Sequence, residues 1–382
     1  MKKNKFIISG INIVDGGALS IFKDFLDELV KEQKNDIFDI ILLVNSKEIF
    51  SEYKNKFKFI EFPKSKKHWF MRFYYEYIYF YFYSKKIKPF IWLSMHDITP
   101  NVVATKRFVY CHNPSPFYQM KLSEAKYGWK YYMFSKFYKY LYKINIKKNN
   151  CVVVQQEWMA QKFQQMYNIT NNKILVAKPE NVLSMRNCDE KKHENQKVSD
   201  IFNFFYPSYP RPYKNFEQVC EAIQLLNKEN IEKKYELILT ISGEESKYAK
   251  MIKKKFGTEE CIKFIGVVSR EKIFELYQEA DCLIFMSKLE TWGMPISEFK
   301  NFNKPIITTT LPYSRETAAN YKNCYFVDVD NSEKLASIMT ELIENNPSRT
   351  DVFNKSDDSS LKFGSFVEVH GWNEFLNCIV GR

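Results

Sequence analysis

Apolar residues fall into two alternating patterns along the chain, and their order predicts a layered α/β protein. Residues 6–9, Phe6-Ile7-Ile8-Ser9, form a short apolar run, the pattern of a strand buried on both faces. After Gly16-Gly17, apolar positions Ile21, Phe22, Phe25, Leu26, Leu29 and Val30 recur at helical spacing. Further runs predict strands over 37–44, 57–62, 90–95, 107–111, 152–154 and 174–176, several of them separated by helical stretches. Strands alternating with helices predict a parallel sheet covered on both faces.

The pattern breaks over 187–200, which is almost entirely polar and charged, and then begins again. Strands are expected over 202–206, 237–241, 262–265, 282–286, 306–309 and 325–327, with helical patterns over 216–226 and 270–280 between them. Residues 366–379 read as a final helix. The predicted division is a first Rossmann-like domain over 1–185, a linker over 186–200, a second Rossmann-like domain over 201–365, and a C-terminal helix over 366–382 crossing back to the first.

Composition agrees with two packed domains. The chain has 382 residues, 45% of them hydrophobic and 17% aromatic, with 11 Gly. These values disfavour disorder and low-complexity or collagen-like repeats. Net charge is +12, and it is unevenly placed. From Lys47 to Lys148 there are 21 Lys or Arg against 6 Asp or Glu, whereas the remainder has 36 against 39. The positive field therefore belongs to the first half and favours anionic partners. Eight Cys, none in a Cys-x-x-Cys pair and several inside apolar runs, suit a reduced, cytosolic compartment better than a disulfide framework. The N-terminal apolar stretch is interrupted by Gly10, Asn12 and Asp15 and reads as a first strand, not a signal peptide.

Candidate chemistry concentrates in two loops of the second half. Ser287-Lys288-Leu289-Glu290-Thr291-Trp292-Gly293-Met294-Pro295-Ile296-Ser297-Glu298 follows a predicted strand. Pro295 suits a first helical turn, whose free N–H groups favour a phosphate. Glu298, about one turn in, is placed to accept hydrogen bonds from sugar hydroxyls. The second loop, Tyr206-Pro207-Ser208-Tyr209-Pro210-Arg211-Pro212-Tyr213-Lys214-Asn215-Phe216, supplies Arg and Lys, the cations that a departing diphosphate needs. An exposed basic turn is the plainer alternative.

These residues, with Lys304-Pro305 and Arg315-Glu316 beyond them, resemble the donor-site block of glycosyltransferase family 4. The resemblance is strongest in the second half. It implies the GT-B fold, two Rossmann-like parallel-sheet domains facing across a cleft, and retaining, metal-independent transfer from a nucleotide-sugar donor such as a UDP- or GDP-sugar. It makes Lys214 the phosphate ligand with Arg211 beside it, and gives Glu290 to the donor sugar. Glu298, Trp292, Gly293, Met294 and Pro295 complete the donor site. Gly16-Gly17 resembles the family's first glycine loop, although an ordinary strand–helix turn reads the same way. The family often places a His after the fifth strand of its first domain, touching the donor sugar; by strand count this is His112. His96 lines the acceptor side or is structural.

Asp328-Val329-Asp330 has the spelling of a metal-binding Asp-x-Asp, but it ends a strand just before a helix expected near Glu333, so helix capping accounts for it better. No cofactor is expected. Residues 69–83 hold 11 aromatics in 15 residues, flanked by Lys64, Lys66, Lys67, Lys85 and Lys86, and 131–142 repeats the theme. Such segments suit either binding to an anionic membrane surface or packing as core helices with extended Lys; no nucleic-acid motif accompanies them. The expectation is transfer to a glycan or lipid-linked acceptor in bacterial surface polysaccharide assembly, such as O-antigen or capsule. The site would be cytoplasmic or peripheral at the inner face of the plasma membrane. A GT-B sugar-nucleotide epimerase and a non-catalytic basic binder of membrane or nucleic acid remain as alternatives.

Overall fold

The computed structural model describes residues 3–178, 200–229, 231–345 and 366–381. The chain divides into two compact units. The first comprises Met1–Phe117, Lys136–Glu180 and Phe363–Arg382; the second comprises Tyr118–Ser135 and Asn181–Lys362. The expected linker over 186–200 lies outside the described residues except for Asp200.

The first unit is built on an eight-stranded sheet. Its strands are β1 (Asn4–Gly10), β2 (Phe38–Val44), β3 (Lys58–Glu61), β4 (Ile91–Ser94), β5 (Lys106–Tyr110), β6 (Cys151–Val154), β7 (Ile174–Lys178) and, from the C-terminus, Val367–His370. They lie in the order Val367–His370, β7, β6, β5, β4, β1, β2, β3, and every pairing is parallel. Successive side chains of β1 and β2 point to opposite faces, and both faces are covered. Phe6, Ile8, Leu42 and Val44 join one core; Ile7, Ile41 and Leu43 join the other. That double burial is why these strands read as unbroken apolar runs.

The C-terminal segment corrects one expectation. Residues 366–379 are not all helix: Val367–His370 pairs in parallel with β7, and the helix begins at Gly371. Four alternating residues directly before a helical run are too short to show a period of two against it. Helix Gly371–Gly381 then lies on helix Gly16–Lys31, with Trp372 and Phe375 rings 5.2 and 5.8 Å from Phe25. Lys106 Nζ donates to Val380 O at 2.7 Å, placing a cation at the negative end of that helix.

The second unit carries a six-stranded sheet. With the C-terminal strand counted last as β14, its strands are β8 (Ile201–Tyr206), β9 (Lys234–Leu239), β10 (Ile262–Phe264), β11 (Cys282–Phe285), β12 (Ile306–Thr309) and β13 (Cys324–Val327). The order is β10, β9, β8, β11, β12, β13, again parallel throughout. Helix Phe216–Leu226 buries Phe216, Val219, Cys220, Ile223 and Leu226. Lys304 is buried, and its Nζ donates to Gln278 O and Ala280 O, both at 2.6 Å. It therefore closes the C-terminal end of helix Arg270–Glu279.

Candidate functional site

Both sheets reverse their winding at one place, between β1 and β4 in the first unit and between β8 and β11 in the second. There the loops leaving the carboxyl ends of adjacent strands run in opposite directions and open a crevice. The chemistry-bearing loops sit at these two points: 11–17 after β1, 95–98 after β4, 207–215 after β8 and 286–293 after β11.

In the second unit the two loops meet. Pro207, Pro210 and Pro212 restrict the backbone after β8, which ends in the short turn Pro212–Lys214. The Lys214 backbone is held at both ends. Its N–H donates to Arg211 O at 2.8 Å, and its carbonyl accepts from the Tyr206 hydroxyl. Lys288 N donates to Tyr213 O at 2.6 Å, tying this loop to the next. The Lys214 ammonium forms an ion pair with Glu290 Oε1, and the two side chains are 14% and 17% exposed. The ammonium lies 5.3 Å from the Phe285 ring centre. A cation and a carboxylate are thus fixed at the mouth of the sheet, shielded from water yet reachable. In such a place their fields are strong.

Glu298 sits in helix Met294–Phe299, which begins at Gly293 in a left-handed conformation (φ 84°) that only glycine adopts without strain. The loop before it is anchored through Trp292. The indole Nε1 donates to Ser297 Oγ at 2.7 Å, and the Trp292 carbonyl accepts from the Thr317 hydroxyl. Glu298 itself is buried. It accepts from Tyr277 OH at 3.0 Å and Arg270 at 3.3 Å. Burial raises its pKa, opposed by Arg270 and Tyr277. Arg270 and Tyr277 come from the preceding helix and carry no sequence motif. Arg211 takes a different environment from Lys214: it donates to Tyr213 OH at 2.9 Å and lies over the Tyr131 ring at 5.2 Å.

In the first unit, Gly16 (φ 70°) opens helix Gly16–Lys31, and a side chain added at Gly16 or Gly17 would meet no atom within 4 Å. His96 is buried. Its Nδ1–H donates to Ser9 O at 2.9 Å, and its Nε2 lies 2.5 Å from Glu76 Oε1. It is part of the interior, so of the two roles left open for it the structural one fits. The next residue, Asp97, takes φ 76° and accepts from the backbone N–H groups of His112 (2.6 Å) and Asn113 (2.9 Å) and from Tyr142 OH (3.0 Å). Asp97 thereby pins the loop carrying His112. Burial lowers the His112 pKa, with the Asp97 charge opposing, so the imidazole is neutral.

Asp328 and Asp330 do not cap the following helix as expected. Asn331 does, its side-chain oxygen accepting from Lys334 N at 2.8 Å. Asp328 accepts from Thr310 Oγ1 at 2.5 Å, and Asp330 pairs with Lys288 at 3.2 Å. The described residues hold no group of three His, Cys, Asp or Glu able to share a metal.

Residues 188–357 match the family profile described as Glycosyl transferases group 1. No curated protein matches the chain. Among solved structures, a glycosyltransferase from Rickettsia africae ESF-5 is 18% identical with a TM-score of 0.63, over 91% of this chain and 90% of that one. Anabaena HepE in complex with UDP-glucose is 14% identical with a TM-score of 0.59, over 99% and 98%. WaaG, a glycosyltransferase involved in lipopolysaccharide biosynthesis, is 11% identical with a TM-score of 0.60, over 90% and 92%. Residues 188–357 are thus similar to a Glycosyl transferases group 1 domain, and the pair of parallel sheets is the GT-B fold.

Proposed function

We propose that the chain is a retaining glycosyltransferase that takes a sugar from a UDP- or GDP-sugar and needs no metal ion. The observation that carries this reading is the Lys214–Glu290 pair at the β8/β11 switch point. When the bond between the anomeric carbon and the diphosphate oxygen breaks, charge gathers on the leaving diphosphate. Lys214 meets that charge, and Arg211 adds to it. Glu290 holds the ammonium in place and turns its remaining acceptor capacity to the sugar hydroxyls. Glu298 takes the ribose hydroxyls; Trp292, Gly293, Met294 and Pro295 shape the turn beside them. Gly16 and Gly17 let the donor approach the first sheet, and His112 contacts the transferred sugar as a neutral hydrogen-bonding group. The acceptor hydroxyl attacks on the face the diphosphate leaves and gives up its proton to that leaving group, so configuration is retained.

HepE was solved with UDP-glucose and WaaG acts in lipopolysaccharide biosynthesis, which supports a nucleotide-sugar donor and a polysaccharide pathway. The acceptor is a glycan or lipid-linked glycan of the bacterial surface, and the enzyme works at the cytoplasmic face of the plasma membrane.

Activity is expected to survive EDTA, because lysine and arginine supply the positive charge that a metal would otherwise bring. Donor consumption is measured with and without acceptor, before and after chelation. Loss of activity restored by Mn²⁺ or Mg²⁺ would contradict the metal-free part of the reading. Donor breakdown equally fast without acceptor would contradict transfer.

A further inference from the structure

Helix Trp69–Ile87 buries several polar side chains and exposes a row of large apolar ones. It runs without a break from Trp69–Tyr74 through a wider turn at Tyr75–Tyr79 into Phe80–Ile87. Its inner face is mixed: Phe80 joins an apolar core against which Tyr75, Tyr83 and Ile87 pack, and polar side chains are buried among them. Arg72, Glu76 and Ser84 are buried beside Phe80, and Glu76 is fully enclosed. Arg72 donates to His96 O at 3.1 Å, Glu76 meets His96, and Ser84 Oγ accepts from Val103 N at 2.8 Å. Its outer face is apolar. Phe70 is 90% exposed and Phe82 65%, with Phe73, Tyr74 and Ile78 exposed between them.

An ordinary surface helix turns a charged or polar row to the outside, not an apolar one. Phe70, Tyr74, Ile78 and Phe82 are spaced four apart. Over twelve residues an α-helix would carry Phe82 about 120° away from Phe70. The i→i+5 turn at Tyr75–Tyr79 absorbs most of that drift and keeps the four on one side. The same turn keeps Arg72, Glu76, Phe80 and Ser84 aligned inward.

The charges around this face are mostly positive, although Lys66 is paired with Asp15 at 2.7 Å. Lys64, Lys66 and Lys67 stand before the helix and Lys85, Lys86 and Lys88 at its end, all exposed. The one acidic residue from Lys64 to Lys88 is the buried Glu76. Among the described residues no helix is long and apolar enough to cross a membrane. An exposed aromatic stripe with cations at both ends, on a helix carrying Arg and Glu within it, suits a bilayer interface: the rings enter the headgroup–acyl boundary and the lysines meet anionic headgroups.

We infer that the outward face of helix Trp69–Ile87 seats the protein on an anionic lipid surface by shallow insertion of Phe70, Tyr74, Ile78 and Phe82. The inference rests on the proposed lipid-linked acceptor only in making the membrane the place of work, and its readout is independent of transfer. The test is sedimentation of the full chain with phosphatidylglycerol/phosphatidylethanolamine vesicles and with phosphatidylcholine vesicles. The wild-type chain is expected to pellet with the anionic vesicles and to be only partly released by high salt. A variant with Phe70, Tyr74, Ile78 and Phe82 all changed to serine should bind about tenfold more weakly or less, with unchanged circular dichroism and nucleotide affinity. Changing the six lysines to glutamine should weaken binding and abolish its salt dependence. If the fourfold variant misfolds, Phe70→Ser alone should reduce binding several-fold. Wild-type protein left in the supernatant with anionic vesicles would overturn the inference, as would serine variants that pellet like wild type. So would a self-associated form, or an RNA complex, that the serine changes disperse while vesicles are ignored.

Discussion

Replacing Lys214 with alanine is expected to lower turnover by about 10²-fold or more while the protein stays folded. That is the magnitude of losing one preorganised electrostatic contact to a developing charge. The turn holding Lys214 is anchored by backbone hydrogen bonds from Lys214 N to Arg211 and from Tyr206 to Lys214 O, and alanine leaves both in place. The effect should fall on kcat more than on KM, because the ammonium gains most as the bond to the sugar breaks. Lys214→Arg keeps the charge and should recover part of the loss. A structural role in holding Glu290 would instead appear as a lowered urea midpoint with little change in kcat per folded molecule. Wild-type turnover in a folded Lys214→Ala enzyme would remove Lys214 from the reaction.

Replacing His96 with alanine is expected to destabilise the first unit by about 3–5 kcal/mol, the cost of breaking a buried polar pair by removing one partner. Glu76 is fully enclosed, and its Oε2 has no hydrogen-bond partner among the described residues, so His96 is its one close polar contact there. Its loss also removes the hydrogen bond to Ser9 O. Urea unfolding should show an early transition assigned to the first unit, with nucleotide binding by the second unit retained through it. His96→Leu combined with Glu76→Leu should recover much of the stability, since an apolar pair of similar size needs no compensation. An unchanged midpoint in His96→Ala would show that the pair is not stabilising.

What was legible in the sequence follows from locality. Double burial writes a central parallel strand as a continuous apolar run, so strands such as β1, β2, β6, β11 and β12 stand out, whereas the four residues of β14 disappear against the helix that follows them. Lys214 and Glu290 were visible because each lies in the loop directly after a strand, and β8 and β11 are neighbours. Arg270 and Tyr277 were not visible as partners of Glu298. They come from a separate helix, and only the packing of the sheet brings them near. The capping role fell to Asn331, one residue beyond the acidic pair. The aromatic helix shows the limit most clearly. Its composition announced itself, but its direction could not be read, since a spacing of four fits neither face of a regular α-helix until the wide turn at Tyr75–Tyr79 is known.

The central claim is that the second unit holds a nucleotide-sugar through Glu298 and the Lys214–Glu290 pair. Isothermal titration calorimetry with UDP- and GDP-sugars, and with UDP, GDP, ADP and dTDP, tests it most directly. One base should bind with one site per chain, and Glu298→Ala should abolish most of that affinity. Because burial raises the Glu298 pKa above the usual carboxylate value of 4.5, wild-type affinity for the nucleotide-sugar should begin to fall on acidification before an ordinary carboxylate protonates, as the acceptor for the ribose hydroxyls is lost. Glu298→Ala should lose that pH dependence. Binding of no nucleotide at all, or binding by Glu298→Ala with wild-type affinity and pH profile, would contradict the account.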